Sequence, residues 1–373
     1  MANDVKAKHV GVIGDGCAAL SLAARAAELP EYDIVVYRPS NAPAAKDHIW
    51  GFWSSAMVKR AETLALAKWH HWKVITHQGE STLTSTDRPY NAMRRSAWEK
   101  SCREAAEAAG VRFLEGSDTT QHTGIQWLDT RPPSIPEGLM LQHFVGHEIR
   151  TGEPAFDPST AILMDFRVDQ SRGMHFMYVL PFSDTHALVE STLFSPQLED
   201  DSFYTEAITN YLSEHIGTSD YSVEHREKGM IPLGELEPHD AGLSGLGGNG
   251  GAIRPSSGYA FPFIQQQIDR AIKGPTSDEL IVRSPHEAID LWMDAVMLSV
   301  LRNEPERAPT VFLRMGQALT GDEFARFLNG EATWQLRLKI IFAMPKWPFI
   351  KAALRLWLAT GKVTFKGGRA WTS

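Results

Sequence analysis

Cysteine is scarce in this sequence, since the 373 residues include only Cys17 and Cys102. Neither belongs to a CxxC pair or to a Cys/His spacing typical of zinc, so the sequence predicts no disulfide framework and no metal site. Positive charge is also in deficit, with 37 Lys and Arg against 45 Asp and Glu, for a net charge of -8. That balance argues against a general nucleic-acid binder, which needs a basic field to neutralise phosphates.

The first nine residues lack the apolar core of a signal peptide, and we therefore expect the chain in the cytoplasm. A composition of 43% hydrophobic and 22% charged residues is typical of a globular protein, not of a disordered or multi-span membrane chain. With 373 residues, the chain is long enough to form two lobes.

A glycine motif near the amino terminus indicates a dinucleotide site. Gly14, Gly16 and Ala19 follow a short apolar strand and open an alanine-rich helix. Glycines in this place allow a tight turn and a close approach of the pyrophosphate to the helix amino terminus. The acid expected at the end of the second strand is absent, and Arg38 stands there. The motif alone leaves FAD, a nicotinamide nucleotide and an empty glycine turn open.

An aromatic segment follows, with His48, Trp50, Phe52 and Trp53 within six residues. Such residues either pack in the core or line an apolar pocket, and their spacing does not separate the two. Helical composition then predicts a helix over residues 90–109.

Two carboxylates interrupt apolar strands in the middle of the chain. Asp165 lies within the run 163–166, and Glu190 lies within 187–193. In an alternating strand a carboxylate can occupy the wet face. Alternatively, a desolvated carboxyl has a raised pKa and can donate a proton at neutral pH. Glu190 is the better candidate for such an acid, because apolar residues flank it on both sides.

Glycines recur at residues 247–251, where Gly247, Asn249, Gly250 and Gly251 fit either a ligand-binding loop or a flexible surface loop.

Beyond Glu331 the sequence has no acidic residue. There, residues 340–366 combine aromatic and aliphatic side chains with lysines and arginines, which fits a segment lying on an anionic membrane surface or an ordinary packed helix.

Several segments, in order, resemble the bacterial lycopene cyclases. Residues 14–23 (GDGCAALSLA) are similar to that family's GxGxAGLSLA, and residues 47–53 (DHIWGFW) to its H-x-TWSFW segment. The run 144–194, the element EKGMIP at 227–232 and the segment GGAIRPSSGYAF at 250–261 also follow the family pattern. The family has two glutamates in its F/L-x-E-E-T motif, whereas this chain has Glu190 followed by Ser191.

This resemblance implies a mixed α/β (α+β) fold with a Rossmann-like FAD-binding domain, an antiparallel-sheet substrate domain and a helical carboxyl-terminal region. We expect these at residues 1–134 with 240–275, 135–239 and 276–373, respectively. It implies FAD as cofactor, held by Gly14, Gly16, Ala19, Arg38, Gly247, Asn249, Gly250 and Gly251, in its reduced form and with NAD(P)H as the expected reductant.

The implied substrate is lycopene or another acyclic carotenoid, cyclised without net redox change at the cytoplasmic membrane face. Glu190 is the predicted acid and Asp165 its helper. His48, Trp50, Phe52, Trp53 and Tyr259 are the predicted substrate-lining residues. Two other classes remain open, namely an FAD-dependent monooxygenase or polyprenyl reductase acting on an apolar substrate, and a carrier of apolar lipid that catalyses nothing.

Overall fold

The computed structural model describes residues 8–42, 46–116, 124–274 and 279–360. Its strands are β1 (Lys8–Ile13), β2 (Tyr32–Arg38), β3 (Ile49–Trp53), β4 (Ala67–Trp69), β5 (His71–Thr76), β6 (Gly79–Thr84), β7 (Tyr90–Arg94), β8 (Arg112–Glu115), β9 (Ile125–Asp129), β10 (Met140–Thr151), β11 (Thr160–Asp165), β12 (Met174–Pro181), β13 (His186–Ser195), β14 (Tyr221–Leu233) and β15 (Ser244–Gly245). Its α-helices are α1 (Cys17–Ala23), α2 (Lys59–Glu62), α3 (Arg95–Ala108), α4 (Asp201–Tyr211), α5 (Phe261–Ile272), α6 (Ala288–Asn303), α7 (Ala308–Ala318), α8 (Gly321–Leu328), α9 (Trp334–Ala343) and α10 (Lys346–Thr360).

A five-stranded parallel sheet in the order β15-β9-β1-β2-β8 holds the glycine motif. Strand β1 is apolar and buried because helices α1 and α5 pack in the same core, which Val10, Leu22, Ile34 and Ile268 share. The chain passes from β1 through the glycines into α1 and returns as β2, alongside β1. This arrangement confirms the predicted Rossmann-like part of the fold.

A seven-stranded sheet in the order β14-β10-β13-β12-β11-β5-β6 forms the second layer. All its neighbouring strands run antiparallel except β11 and β5, which are parallel. Helix α4 covers one face, and the other face shares its core with the small sheet β3-β7-β4 and with α7 and α8. Strands β12 and β13 are buried along almost their whole length because both faces are covered.

The antiparallel sheet and the helical carboxyl-terminal region are therefore confirmed. The seven-stranded sheet also includes β5 and β6, which lie before residue 135, so the domain bounds given above remain a prediction. The helix predicted over residues 90–109 begins only at Arg95, because residues 90–94 pair with β3 as strand β7. None of the helices in the described part of the chain is long and apolar enough to cross a membrane.

Candidate active site

Two carboxyl groups meet on the face of the seven-stranded sheet that looks away from α4. Glu190 on β13 lies opposite Gly146 on β10, and Gly146 lies opposite Glu227 on β14. Because Gly146 has no side chain, Glu190 and Glu227 reach across it and share a hydrogen bond. A Cβ atom at position 146 would lie 2.9 Å from Cγ of Glu227. The glycine therefore makes room for this carboxyl pair.

The carboxyl pair is almost entirely withdrawn from water, with 7% of Glu190 and 4% of Glu227 exposed. The Thr192 hydroxyl donates a hydrogen bond of 2.6 Å to Oε1 of Glu190. The backbone N–H of Ile49 donates one of 2.9 Å to Oε2 of Glu227. Each carboxyl thus has its own donor besides its neighbour, which holds both in fixed positions.

Burial raises the pKa of Glu190 well above its usual range, and the charge of Glu227 raises it further. Burial also raises the pKa of Glu227 to about 7, although the Ile49 N–H opposes this shift. Two carboxylates in one dry site cannot both ionise easily, so one pKa of such a pair is strongly raised. Burial therefore keeps at least one proton on the pair near neutral pH, and Glu190, whose pKa the neighbouring charge raises further, holds it more strongly.

Three tyrosines stand beside the carboxyl pair: Tyr90, which is buried, and Tyr178 and Tyr259, which are partly buried. Tyr178 on β12 lies opposite Glu190 in the strand register. Its hydroxyl is 2.8 Å from that of Tyr90, which is 3.4 Å from that of Tyr259. Burial raises the pKa of all three phenols well above the usual range, so they stay uncharged.

Strand β3 divides the predicted aromatic segment between two sides. Trp53 turns toward the three tyrosines, with ring centroids 4.6 Å from Tyr90 and 5.4 Å from Tyr259. Trp50 and Phe52 point the other way and contact Phe261 at the start of α5. This split follows from the two-residue period of a strand. Trp53 thus lies beside Tyr259 and near the carboxyl pair, whereas Phe52 packs in the core under α1.

His48 precedes β3 and packs edge-on against Phe144, with centroids 6.3 Å apart. Burial lowers the pKa of His48, so its ring is neutral at physiological pH. Phe144 lies two residues from Gly146 along β10 and therefore on the same face of the sheet. The substrate-lining role of these residues stays a prediction, with His48, Trp53 and Tyr259 the members closest to the carboxyl pair.

Asp165 is not brought to Glu190. The pairing of β11 with β12 shifts register between Ile162 and Asp165, which turns Asp165 to the α4 face of the sheet. There Arg167 binds it through two guanidinium nitrogens, and the Tyr211 hydroxyl donates a hydrogen bond of 2.8 Å. An ion-paired carboxylate on the opposite face has no contact with the carboxyl pair, and nothing in this position supports the predicted helper role.

Ser191, which stands where the family has a second glutamate, also points toward α4. Its hydroxyl is 2.8 Å from Nε2 of His175. Successive residues of a strand face opposite sides, so a glutamate at position 191 would not reach Glu190's side of the sheet. In this chain Glu227 on β14 supplies the second carboxyl group instead.

The first glycine loop has the geometry that a dinucleotide requires. Gly14 has a φ of +107°, and a Cβ there would lie 2.3 Å from Oγ1 of Thr130. A Cβ at Gly16 would meet nothing within 4 Å, so the space before α1 is open. Ala19 is fully buried in α1 and contributes to the core rather than to that space.

A cleft of about 180 Å³ lies beside this loop, lined by charged residues that include Asp15, Arg38, Arg95 and Arg103. The guanidinium of Arg38 is 3.6 Å from Asp15. Arginines in excess of acids suit phosphate groups, and the open space before α1 suits a pyrophosphate. The residues present therefore fit a dinucleotide, with Arg38 at its edge.

The second glycine loop packs against the first. Residues Gly247–Gly250 form a 3₁₀ turn, and a Cβ at Gly247 would lie 2.4 Å from Cβ of Ala18 in α1. The side chain of Asn249 is buried and donates to the carbonyl of Asp129. Asn249 and Gly250 thus shape the loop, whereas Gly251, with a φ of +75°, ends it.

A further group of possible metal ligands lies among the described residues. Glu148, His186 and Glu224 offer ligand atoms within 4.8 Å of one another. Arg94 already contacts both carboxylate oxygens of Glu148 at 2.7 Å, so the cluster is a satisfied ion-pair network. The expectation of no metal stays a prediction.

Sequence reasoning missed Glu227, Gly146 and the tyrosines at 90 and 178. Residues 224–228 (EHREK) are all charged or titratable, which is typical of a solvated edge strand. The one sequence signal for Glu227 was its position at the start of the element EKGMIP, which follows the family pattern. That resemblance alone assigned Glu227 no role.

Comparison with known proteins agrees with this geometry. The family model described as lycopene cyclase protein matches residues 9–354. The lycopene beta-cyclase of Paracoccus sp. is 28% identical over 269 residues, covering 66% of this chain and 64% of that protein. The lycopene beta-cyclase of Pantoea ananas is 28% identical over 227 residues, covering 57% of this chain and 58% of that protein. The matches thus span less than two thirds of the length of these relatives.

Solved structures with low sequence identity share the fold. A geranylgeranyl bacteriochlorophyll reductase-like protein from Thermoplasma acidophilum superposes with a TM-score of 0.56 at 11% identity, covering 93% of this chain and 98% of that one. A flavin-dependent halogenase from Xanthomonas campestris has a TM-score of 0.54 at 10% identity, covering 98% of this chain and 86% of that one. At these identities the similarity concerns the fold alone.

Proposed function

The chain belongs to the lycopene cyclase family, and from this membership we propose that it is a lycopene β-cyclase. It closes the linear ends of lycopene, an acyclic carotenoid, into β-rings without net redox change. The observation that carries the proposal is the dry carboxyl pair, in which burial and the neighbouring Glu227 raise the pKa of Glu190 well above its usual range. Ring closure of a polyene needs an acid that stays protonated at neutral pH, and burial provides one.

The reaction begins when the terminal double bond of the polyene takes the proton of the Glu190 carboxyl group. The π electrons form the new C–H bond, the carboxyl O–H bond breaks, and a tertiary carbocation results. The neighbouring double bond attacks this cation and closes the ring. A proton then leaves the ring carbon for a carboxylate of the pair, which forms the ring double bond and restores the acid. Atoms and charge balance over the cycle.

The surroundings of the pair stabilise the positive intermediate. Once Glu190 has given up its proton, Glu190 and Glu227 are both anionic beside the cation. The rings of Trp53, Tyr90 and Tyr259 form an aromatic wall next to them, and aromatic faces attract cations. Since the site excludes water, these interactions are stronger than in solution, and water does not capture the cation.

FAD is the proposed cofactor. Gly14, Gly16 and Arg38 would hold its pyrophosphate end, and residues 247–251 pack beside them. When bound and reduced, it supplies negative charge that favours a cationic intermediate. NAD(P)H as its reductant remains our expectation.

The alternative is a flavin-dependent monooxygenase or polyprenyl reductase on the same fold. Both would change the mass of the substrate, whereas a cyclase leaves it unchanged. Neither of these redox reactions requires a buried carboxylic acid beside a second carboxyl group. The presence of such a pair therefore favours the cyclase.

Expression in cells that accumulate lycopene tests the proposal. The wild-type chain should yield cyclic carotenoids of unchanged mass. Glu190→Gln keeps shape and hydrogen bonding but removes the proton, so activity should fall by ~10² to 10⁴ with flavin content unaltered. Glu190→Asp should keep some activity because the acid survives at a longer reach. Glu206→Gln on α4, an exposed position, is the matched control. Near wild-type cyclisation by Glu190→Gln would refute the assignment.

Peripheral attachment to the inner face of the cytoplasmic membrane is also proposed. Nine of the sixteen exposed large hydrophobic residues in the described chain fall within residues 334–358, on α9 and α10. Phe342 and Trp347 are each 71% exposed, and Leu358 is 73% exposed. Lys346, Lys351 and Arg355 belong to the same two-helix surface, all three on α10. Apolar side chains beside cations suit an anionic lipid interface. Lys362 and Lys366 of the expected segment lie outside the described residues.

A further inference from the structure

An apolar cavity of about 220 Å³ lies among the carboxyl-terminal helices, away from the glycine loops. Helices α6, α7, α9 and α10 supply most of its lining, which includes Met293, Met297, Phe312, Met315, Met344 and Phe349. Methionine side chains are flexible and adapt to irregular apolar shapes. A cavity of roughly 150 Å³ with an apolar lining is enough to hold benzene, so this one accommodates a larger hydrocarbon group.

The inner end of the cavity adjoins the carboxyl-pair site. Ser256 and Ser257 line the cavity, and the same loop continues two residues further to Tyr259, whose hydroxyl contacts Tyr90. Helix α8 gives a second link, because Phe327 lines the cavity while Phe324 packs 5.9 Å from Trp53. One loop and one helix therefore form a common wall between the two.

The outer end reaches the two-helix surface proposed to contact the membrane. Ile341 and Ile350 line the cavity and are 42% and 49% exposed. Lys346 stands at the same rim, at the start of α10. A hydrocarbon leaving a bilayer under these helices would pass from lipid to protein without crossing water.

The charged groups of the cavity, Asp294 and Lys346, are both partnered, which bears on the kind of ligand it takes. Asp294 is ion-paired with Arg254 and accepts a hydrogen bond of 2.7 Å from Ser256. The Lys346 ammonium donates to the carbonyls of Ile341 and Phe342. No charged group is thus left to anchor a phosphate inside, and the cavity favours a ligand without a head group.

We propose that this cavity, the intake cavity, binds one end of a long polyene hydrocarbon drawn from the bilayer and guides it to the carboxyl pair. The inference rests on the proposed cyclase function. The cavity holds only part of such a chain, so the rest of the polyene stays in the lipid while its leading end advances along the wall formed by residues 254–259 and α8.

The test fills the intake cavity and measures binding separately from catalysis. Ala353 lines it from α10, and Met297 lines it from α6. Ala353→Trp and Met297→Trp add bulk from different helices, and Ala108→Trp adds the same side chain to an exposed position at the end of α3, outside the cavity and outside the two-helix surface. Each full-length flavin-loaded variant is titrated with diphenylhexatriene, an apolar rod-shaped triene. Each is then assayed with lycopene in vesicles of phosphatidylglycerol and phosphatidylcholine.

Both cavity variants should bind the triene at least about tenfold more weakly and lose a similar factor in kcat/KM, with flavin content and melting temperature close to wild type. Ala108→Trp should match wild type in both assays. Unchanged triene affinity and unchanged turnover in the two cavity variants would overturn the proposal. Release of bound phospholipid by these variants, without loss of triene binding, would also overturn it by making the cavity an acyl-chain anchor. If no chain cyclises lycopene but the cavity variants still lose triene binding, the cyclase function fails while the hydrocarbon site stands.

Discussion

Two regions of the molecule depart, in opposite ways, from the usual rule that charged side chains are exposed and large apolar ones are buried. They are the centre of the seven-stranded sheet and the two-helix surface formed by α9 and α10. The sheet buries ionisable groups, with Glu190 and Glu227 both less than a tenth exposed. The helices expose aromatic rings, of which Trp347 is 71% accessible. Burying unpaired carboxylates and exposing large apolar groups both reduce stability or solubility, so neither is expected without a function.

The difference teaches what each region contributes. The sheet provides a chemical environment, because removing water raises the pKa of the Glu190 acid. The helices provide a location, because their apolar side chains gain stability only against lipid or another apolar partner. The intake cavity lies between these two regions, lined by α9 and α10 on one side and by the loop leading to Tyr259 on the other.

Of the changes that test this comparison, removing the negative charge of the carboxyl pair should have the largest effect on activity. Glu227→Gln keeps the hydrogen-bond acceptor for the Ile49 N–H but removes the anion. We expect cyclisation to fall by ~10² through loss of electrostatic stabilisation of the cation. The Glu227 charge raises the pKa of Glu190, so its removal lowers that pKa and moves the alkaline limit of activity to lower pH.

Activity measured across pH 5 to 9 checks this prediction, with Glu224→Gln on the same strand as the control. A lower rate with an unshifted alkaline limit would mean that Glu227 acts on the shape of the site and not on the acid.

Neutralising the two-helix surface should have a smaller effect, confined to membrane binding. Each cation near an anionic bilayer contributes about 1 kcal/mol, so Lys351→Gln with Arg355→Gln should weaken vesicle binding roughly 30-fold at low salt. The exposed pair Lys59→Gln with Lys68→Gln is the matched control. Co-sedimentation with phosphatidylglycerol vesicles measures the effect, which should shrink as salt screens the charges. Equal binding by both double variants would leave only the apolar side chains as anchors.

The smallest expected effect concerns stability. Burial raises the pKa of Glu227 from 4.5 to about 7, so the folded chain binds more protons than the unfolded chain in this interval. Stability therefore falls as pH rises from 4.5 through 7. Glu227→Gln removes this dependence and should raise the melting temperature at pH 8 by a few degrees relative to wild type, with little change at pH 4.5. A variant that melts lower at pH 8 would show that the carboxylate stabilises the fold.

The sequence predicted the parts of the molecule that depend on local pattern. The strand, glycines and helix at residues 8–23 follow one another along the chain, and their order alone indicates the parallel sheet. Glu190 was visible as one carboxyl within an apolar run. The exposed apolar residues of α9 and α10 were visible as aromatics mixed with cations.

The parts that depend on register were not predictable from local pattern. Glu227 lies in a charged stretch and is buried only because β14 pairs with β10 so that Gly146 stands between it and Glu190. Asp165 resembles Glu190 in sequence, but a shift in pairing between β11 and β12 turns it to the other face. Trp50 and Trp53 were grouped as one lining, although a strand sends them to opposite sides.

The central claim is that the carboxyl pair holds one proton at neutral pH and that Glu190 carries it. Infrared difference spectroscopy of the carboxylic acid C=O stretch, recorded while pH is raised from 5 to 9, measures this directly. The account predicts a buried-acid band that persists above pH 7 in the wild type, that is lost near pH 7 in Glu190→Gln, where Glu227 is the remaining acid, and that titrates at lower pH in Glu227→Gln. The absence of such a band from the wild type at pH 8, or its survival at pH 8 in Glu190→Gln, would contradict the account.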